Sequence, residues 1–373
     1  MSQVPPGPGA SGTAKPVNVI VFPGGFNWPI WVAQERGLFA ARGIAVDVAA
    51  TPGSVFQWTR LAMGYSNLAI TLMDHVVAYH EGQGEVPVLV PDAVAVMAAD
   101  ARVMPALMTV PEIRSYSDLR GRPLSVDAAA TGFTLVLVAM LEHGGLGKGD
   151  YELVRVGGVT ERFEALKRRE HAGSLFNAPF AGQLKDIGFN TLDTATSALA
   201  AYQNQVVAVR RGWAERNRAQ VVGFIRGFSD AVDWLYDPAN RAEAFAIFER
   251  NSPQRGPDAA ANAYAVLFDA EDGFARKGEF DADGIRQVLA LRARSGTPQK
   301  RWARPAAIAT SASSRKRWRS RVPDFEHHPI RPMRHPSGPS RRSAPTHSPT
   351  SNLTPWASGS SVPKLIVLVA RRI

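Results

Sequence analysis

Residues 17–53 limit the folds open to this chain more than any other stretch, because a strand pattern, a glycine break and a helix pattern follow one another there. Val17–Phe22 is apolar and β-branched, which is typical of a buried strand. A Pro-Gly-Gly break follows, and Pro29 stands where the first turn of a helix accepts proline. Residues 45–50 predict a second strand. The unit therefore predicts an α/β fold, with a loop whose N–H groups at a helix N-terminus could hold a small ligand.

The same alternation continues to about residue 297. Helix ends are marked by glycines or by Asp-Pro, and we expect Asn27 and Asp74 to cap helices. Further strands are predicted at 68–72, 86–98, 151–156, 172–176 and 205–209. Further helices are predicted at 54–63, 76–81, 134–143, 159–169, 216–235, 241–250, 258–268 and 281–291. Residues 104–110 are predicted to carry the chain into a second lobe.

Cysteine is absent from the 373 residues, while 45% of them are hydrophobic and 20% are charged. These proportions are ordinary for a globular protein. The absence of cysteine excludes disulfides, a thiolate nucleophile and a cysteine-based zinc site.

The net charge of +10 is unevenly distributed. Of the 43 basic and 33 acidic residues, 15 and 2 lie from Lys300 onward, which leaves the preceding part with 28 basic and 31 acidic residues. That part has a net charge of −3, so the basic character belongs to the tail. A charge confined to the tail argues against nucleic-acid binding by the body.

The sequence predicts no signal peptide in residues 1–16 and no transmembrane helix. Residues 1–16 contain no apolar stretch of the kind found in a signal peptide, and we expect them to be disordered. No run of about 18 apolar residues predicts a transmembrane helix.

Several phrases resemble one known family. Glu35-Arg36-Gly37-Leu38-Phe39 and Gly43-Ile44-Ala45-Val46 resemble its opening unit, and Asp118-Leu119-Arg120-Gly121-Arg122 resembles the start of its second lobe. The family comprises solute-binding proteins of ABC importers for aliphatic sulfonates, nitrate, taurine and thiamine-pyrimidine precursors (the SsuA/THI5-like proteins). The order of the predicted elements is similar across roughly residues 17–297.

The resemblance implies a type II periplasmic-binding-protein-like fold with two hinge crossings. Lobe 1 would comprise residues 17–108 and 207–297, lobe 2 residues 109–206, and the low-complexity tail residues 298–373. It also implies a monomer that is not an enzyme, needs no cofactor or metal, binds no nucleic acid, and delivers a small polar organic ligand to a membrane permease. The family is normally exported, so a periplasmic or membrane-associated exterior location is expected, although the missing signal leaves a cytoplasmic location open.

The ligand site is predicted at loops that follow strands. The candidates are Gly24, Gly25, Phe26, Asn27, Trp28, Thr71, Asp74, Thr131, Gly132, Phe133 and Asn177. Each has an alternative structural role, as a turn residue, a helix cap or a core aromatic. The loops show no clear arginine clamp, which weakens a sulfonate or nitrate ligand, and Asp74 would favour an amine or aminopyrimidine.

Two other functional classes remain open in the sequence. A cytoplasmic synthase of the thiamine pyrimidine shares the fold, but its cysteine-rich motif is incompatible with a chain that has no cysteine. Nucleic-acid binding by the basic tail predicts salt-dependent DNA binding that is lost on truncation at Lys300.

The tail differs in kind from the body. From Arg301 it is rich in Arg, Ser, Pro and His and has no hydrophobic period until Leu365, which predicts disorder. A shifted reading frame near Lys300 is a sharper hypothesis, because a back-translation read two bases later resembles the closing segment of the family. Sequencing the DNA around that codon tests it.

Overall fold

The computed structural model describes residues 15–85, 90–100, 104–177, 180–253, 256, 258–271 and 273–296. These residues belong to one compact unit. The predictions for residues 1–14, for 86–89 and for the tail from residue 298 lie outside the described residues.

Ten strands and twelve α-helices make up the described part. The strands are β1 Val17–Val21, β2 Val46–Ala50, β3 Leu68–Leu72, β4 Ala93–Ala98, β5 Ala106–Thr109, β6 Pro123–Val126, β7 Glu152–Arg155, β8 Gly173–Phe176, β9 Asn190–Thr194 and β10 Gln205–Arg210. The helices are α1 Trp28–Glu35, α2 Leu38–Ala41, α3 Ser54–Met63, α4 Met73–Glu81, α5 Gly132–His143, α6 Val159–Lys167, α7 Phe180–Asp186, α8 Arg211–Arg216, α9 Arg218–Tyr236, α10 Arg241–Asn251, α11 Ala259–Leu267 and α12 Ala282–Ser295.

The strands form two five-stranded sheets of the same design. The first has the order β2-β1-β3-β10-β4 and the second β7-β6-β8-β5-β9. In each sheet three strands run parallel, and an antiparallel strand follows at one side (β10 beside β3, β5 beside β8). We call the first sheet with its helices lobe 1 and the second lobe 2. This is the two-lobed α/β fold of periplasmic binding proteins, with two crossings between the lobes.

The crossings lie slightly earlier than the predicted boundaries. Residues 106–109, placed mostly in lobe 1 by the sequence, form β5 in the sheet of lobe 2. Gln205 and Val206, assigned to lobe 2, already belong to β10 in lobe 1. The chain therefore passes from lobe 1 to lobe 2 between β4 and β5 and returns between β9 and β10. The apolar patterns of these strands could not show which sheet they would join.

The phrase Glu35-Arg36-Gly37-Leu38-Phe39 has a structural role. Gly37 has a φ of +66°, a left-handed conformation that separates α1 from α2. Phe39 is buried and stacks on Phe224 of α9 with a ring-centroid distance of 5.3 Å. Glu35 accepts hydrogen bonds from Arg250 (2.5 Å) and Asn251 (2.6 Å) of α10. The phrase therefore fixes the helical layer of lobe 1 rather than contacting the predicted ligand loops.

Two predicted helix caps are wrong. Asn27 precedes α1 but makes no side-chain capping bond; its Nδ2 donates to the carbonyl oxygen of Phe22 at 2.7 Å. Asp74 lies inside the first turn of α4, which begins at Met73, three residues earlier than predicted. Asp74 does not cap the helix because its carboxylate is paired with Arg292, 218 residues later in the chain.

Candidate functional site

A cavity lies between the two sheets, at the ends of strands from both lobes. It contains about 690 Å³ of empty space, open solvent at its mouth included. Its apolar lining consists of Phe22, Phe26, Ile70, Leu72, Val126, Phe133, Leu137, Val159 and Leu175. Its polar lining consists of Thr71, His75, Ser125, Asp127, Thr131, Thr134, Arg162, Asn177 and Gln205. Apolar walls with a few convergent polar groups are the usual composition of a small-molecule site.

The structure brings five of the eleven candidate residues together in this cavity. They are Phe26, Thr71, Thr131, Phe133 and Asn177. They come from both lobes, as the two-lobed prediction requires. The remaining candidates, Gly24, Gly25, Asn27, Trp28, Asp74 and Gly132, are not among its lining residues.

Trp28 belongs to the core of lobe 1. Its side chain is fully buried, and its indole Nε1 donates to the carbonyl oxygen of Ala244 at 3.0 Å. Its ring lies 4.5 Å from the ring of Phe248 and 5.5 Å from that of Phe268. The core role, which the sequence left as an alternative, is the one that the structure shows.

Asp74 forms a buried ion pair with Arg292 of α12. The guanidinium Nε donates to Oδ1 at 2.7 Å and Nη2 donates to Oδ2, and both side chains are at most 1% exposed. Arg292 Nη2 also donates to the carbonyl oxygen of Ala130 at 2.6 Å, and the amide N–H of Ala130 donates to Glu85. The Ala130 peptide groups of lobe 2 are thus held by side chains of α12 and lobe 1. We call Asp74, Glu85, Ala130 and Arg292 the interlobe clamp.

Gly132 permits this close approach. A Cβ at this position would lie 2.7 Å from Asp74 Cβ and 2.8 Å from Tyr202 Oη, closer than real Cβ contacts. The glycine at the start of α5 therefore lets the clamp close.

Four polar residues of lobe 2 line the cavity but were not among the candidates chosen from the sequence. Asp127 follows β6, and its Oδ2 accepts from the amide N–H of Ser54 at 3.2 Å, at the N-terminus of α3 in lobe 1. Arg162 of α6 is buried and donates through Nε and Nη1 to oxygens of Gly157, Ser174 and Leu175. Ser125 and Thr134 complete the set.

Arg162 is an arginine of the cavity lining that the loop sequences did not indicate. Arg162 lies in α6, on the face of the helix that packs on the rest of lobe 2. In the sequence, an arginine inside a helix is typical of a solvent-exposed charge. Burial lowers the pKa of its guanidinium, and the negative charges of Asp127 and Glu161 act in the opposite direction. The sequence signal that could have indicated its burial is its position beside Phe163 and Leu166, on the apolar face of the helix.

Two residues of lobe 1, His75 and Gln205, also line the cavity and were not among the candidates chosen from the sequence. His75 lies four residues after Thr71, as the third residue of α4, and its Nδ1 lies 2.9 Å from Thr71 Oγ1. Burial lowers the pKa of His75, and Asp74 and Asp127 oppose that effect while Arg292 adds to it. His75 Nε2, Gln205 Oε1 and Ser125 Oγ are among the buried side-chain atoms that have no hydrogen-bond partner among the described residues. All three residues line the cavity, where a ligand or water can complete their bonding.

Two contacts between the lobes lie beside the cavity. The amide N–H of Gly158, which precedes α6, donates to the carbonyl oxygen of Pro52 at 2.9 Å. The Ser54–Asp127 hydrogen bond lies next to it.

Among the residues that the structure describes, no group of three or more His, Cys, Asp or Glu side chains is arranged to hold a metal ion. None of the described helices is both long and apolar enough to cross a bilayer.

Solved structures share the fold at low sequence identity. The alkanesulfonate-binding protein SsuA from Xanthomonas axonopodis pv. citri, bound to MOPS, has a TM-score of 0.62 at 14% identity, covering 76% of this chain and 93% of that one. The periplasmic nitrate-binding protein NrtA from Synechocystis PCC 6803 has a TM-score of 0.60 at 12% identity, covering 76% and 82%. The desulfurization enzyme DSZB has a TM-score of 0.50 at 15% identity, covering 74% and 92%. The fold thus occurs in binding proteins and in an enzyme.

Sequence comparison gives the family. A search of curated protein sequences found no match. The NMT1/THI5-like family model, however, matches residues 27–242, which is more than half of the chain. This range contains both crossings and every residue of the cavity lining except Phe22 and Phe26. The chain therefore belongs to the NMT1/THI5-like family.

Proposed function

We propose that this protein is the solute-binding component of an ABC importer. Its ligand is a small polar organic molecule of the sulfonate, nitrate or taurine, amine or aminopyrimidine class, and it binds in the cavity between the lobes. The observation that carries the proposal is the set of buried polar atoms without partners that faces this cavity from both lobes: His75 Nε2 and Gln205 Oε1 from lobe 1, and Ser125 Oγ from lobe 2.

Binding follows from closing the two lobes on the ligand. Each of the three unpartnered atoms gains a hydrogen bond when the ligand enters, and removal of water strengthens those bonds. Phe26 and Phe133 supply apolar surface from opposite lobes. Hinge motion over the two crossings would then open the Pro52–Gly158 contact and close it again. The closed form presents surface from both lobes to a permease, outside the cytoplasmic membrane.

A thermal-shift screen of the full-length chain tests the proposal. The ligands are sulfonates, nitrate, taurine, amines and aminopyrimidines. A ligand at about one hundred times its Kd adds about 2.7 kcal/mol to the free energy of unfolding, which raises the midpoint by several degrees. Mass spectrometry after incubation should recover the ligand unchanged. No shift with any of these classes would contradict the binding role, and a chemically altered ligand would indicate an enzyme instead.

A further inference from the structure

We propose that the cavity selects an uncharged ligand, which presents a hydrogen-bond acceptor atom to the Nε2–H of His75. The inference rests on the proposed binding function and narrows its ligand class. The acceptor would be a carbonyl oxygen or a heteroaromatic nitrogen, and anions of the sulfonate or nitrate type would be disfavoured.

A chain of three side chains fixes the tautomer of His75. The indole Nε1 of Trp58 can only donate, and it donates to Thr71 Oγ1 at 3.3 Å. The Thr71 hydroxyl therefore accepts that bond, and its own proton is left for His75 Nδ1 at 2.9 Å. With Nδ1 as the acceptor, the proton of the neutral imidazole is on Nε2. The reverse arrangement would leave the Thr71 proton, which is buried, without an acceptor in this chain of contacts.

His75 Nε2 then projects a donor that nothing in the described residues accepts. The side chain is 3% exposed and lines the cavity, so bulk water does not satisfy it. With Nδ1 accepting from the Thr71 hydroxyl, the ring carries one proton, and burial favours this neutral form by lowering the pKa of His75, although Asp74 and Asp127 oppose that shift. A neutral donor that lines the cavity calls for an acceptor on the ligand but does not require that acceptor to be charged.

The charges of the cavity argue against an anion. Asp127 and Arg162 are the charged groups of its lining, and their charges cancel. The carboxylate of Asp127 already occupies the N-terminus of α3 through Ser54, the position where an anion would otherwise be stabilised. Three oxygens of lobe 2 accept from Nε and Nη1 of Arg162, so these N–H groups are already used within the lobe. An added anion would give the cavity a net negative charge beside Asp127.

Isothermal titration calorimetry on the full-length chain near pH 7 tests both the binding of an uncharged ligand and the disfavouring of anions. The uncharged probes are cytosine, nicotinamide and 2-aminopyrimidine, and the anionic probes are nitrate, ethanesulfonate and MOPS. We expect at least one uncharged probe to bind about tenfold or more tightly than every anion. Tighter binding of an anion would overturn the inference while leaving the binding function intact. Failure of all six probes would overturn the inference, whereas the binding function is decided separately by the thermal-shift screen.

Substitutions at His75 and at Asp127 test whether these residues cause the preference for an uncharged ligand. His75→Phe keeps the ring shape but removes the donor, so the Kd for the uncharged probe should rise about tenfold or more. His75→Gln keeps a donor near the Nε2 position and should restore most of the affinity. His80→Phe, on the same helix but outside the cavity lining, is the matched control. Equal losses for the Phe and Gln variants at position 75 would show that the donor is irrelevant and would overturn the assignment.

Asp127→Asn tests the charge argument separately. The variant keeps an oxygen that accepts from Ser54 but removes the negative charge. We expect the Kd for nitrate to fall about tenfold or more, while the uncharged probe binds as before. An unchanged or weaker nitrate affinity in a variant with the wild-type melting temperature would contradict exclusion of anions by Asp127.

Discussion

Asp74 and Asp127 are two carboxylates near helix N-termini, and the structure uses them differently. Asp74, in the first turn of α4, is fully paired with Arg292 and lies outside the cavity lining. Asp127 accepts one long bond from the N-terminus of α3 and lines the cavity. Asp100, in the first crossing, accepts from the amide N–H of Gln205 at 2.8 Å. A carboxylate is available to a ligand only where the fold has not already given it a cation.

The surroundings of Asp74 stabilise the contact between the lobes, whereas the surroundings of Asp127 are available for ligand binding. The interlobe clamp around Asp74 joins α12, lobe 1 and the Ala130 segment of lobe 2, so its charge stabilises the fold. On the side of the cavity with Asp127, two hydrogen bonds join the lobes: the Ser54 N–H donates to the Asp127 carboxylate, and the Gly158 N–H donates to the Pro52 carbonyl oxygen. A neutral backbone bond contributes about 1 kcal/mol and a bond to a charged group about 1.5–3 kcal/mol, less than the loss expected when a buried ion pair is broken, so we expect this side to open more easily than the interlobe clamp.

The largest effect is expected from Arg292→Met. The variant leaves Asp74 buried without its cation, which should lower the free energy of unfolding by about 3–5 kcal/mol. Denaturant unfolding measures it. In the double variant Asp74→Asn/Arg292→Met the loss should be smaller than the sum of the two single losses. A loss below about 1 kcal/mol for Arg292→Met would show that the ion pair does not hold the lobes.

The second prediction concerns Asp100, whose pKa burial raises to about 8 while the Gln205 N–H lowers it. The folded state keeps the proton up to about pH 8, whereas the unfolded state loses it near pH 4. Stability is therefore fully present at low pH and is lost as pH rises toward 8. Wild-type protein should lose up to about 1.4 kcal/mol per pH unit between about pH 5 and 7.5 relative to Asp100→Asn. Parallel pH profiles of unfolding for the two proteins would contradict it.

The third prediction concerns the mouth of the cavity. A Cβ at Gly158 would lie 2.6 Å from the carbonyl oxygen of Pro52, so Gly158→Ala should push the lobes apart there. We expect a cost to the closed form of about 1–3 kcal/mol, seen as a weaker ligand affinity with little change in unfolding of the unliganded protein. Gly182→Ala is the control, because a Cβ there meets no atom within 4 Å. Equal affinities for the two variants would remove the Pro52–Gly158 contact from the closing step.

The smallest effect is expected from Arg294→Ala. Arg294 lies two residues after Arg292 on α12 and contacts Glu142 of α5 at 3.1 Å, with both side chains about half exposed. An exposed ion pair contributes about 0–1 kcal/mol, and added salt should reduce even that. Denaturant unfolding at low and high salt measures it. A loss comparable to that of Arg292→Met would mean that helix α12, not the buried pair, is the source of the stability.

Most of the fold could be predicted because local patterns specify it. The strands Val17–Val21 and Leu68–Leu72 are apolar except for one polar residue each, Asn18 and Thr71, and α3 ends at Gly64, which has a φ of +79°. Patterns of this kind depend on neighbours within a few residues. The element order, the two lobes and the two crossings followed from them together with the resemblance.

The site could be predicted only in part. Thr71 lies near the end of a strand, Thr131 and Asn177 follow strands, and Phe26 and Phe133 lie in segments that follow strands; all five line the cavity. His75, Asp127 and Arg162 were missed, since nothing near them in the sequence separates an inward-facing polar residue from a solvated one. Asp74 was selected for its place beside a strand end, but its partner lies 218 residues away.

The sequence by itself determined the alternation of strands and helices, the absence of cysteine chemistry and the family. Only the tertiary structure decided which carboxylate is neutralised and which faces the cavity. The physical reason is that hydrophobic period and turn chemistry are local properties of the chain, whereas the burial and pairing of a charge depend on whatever distant segment packs against it.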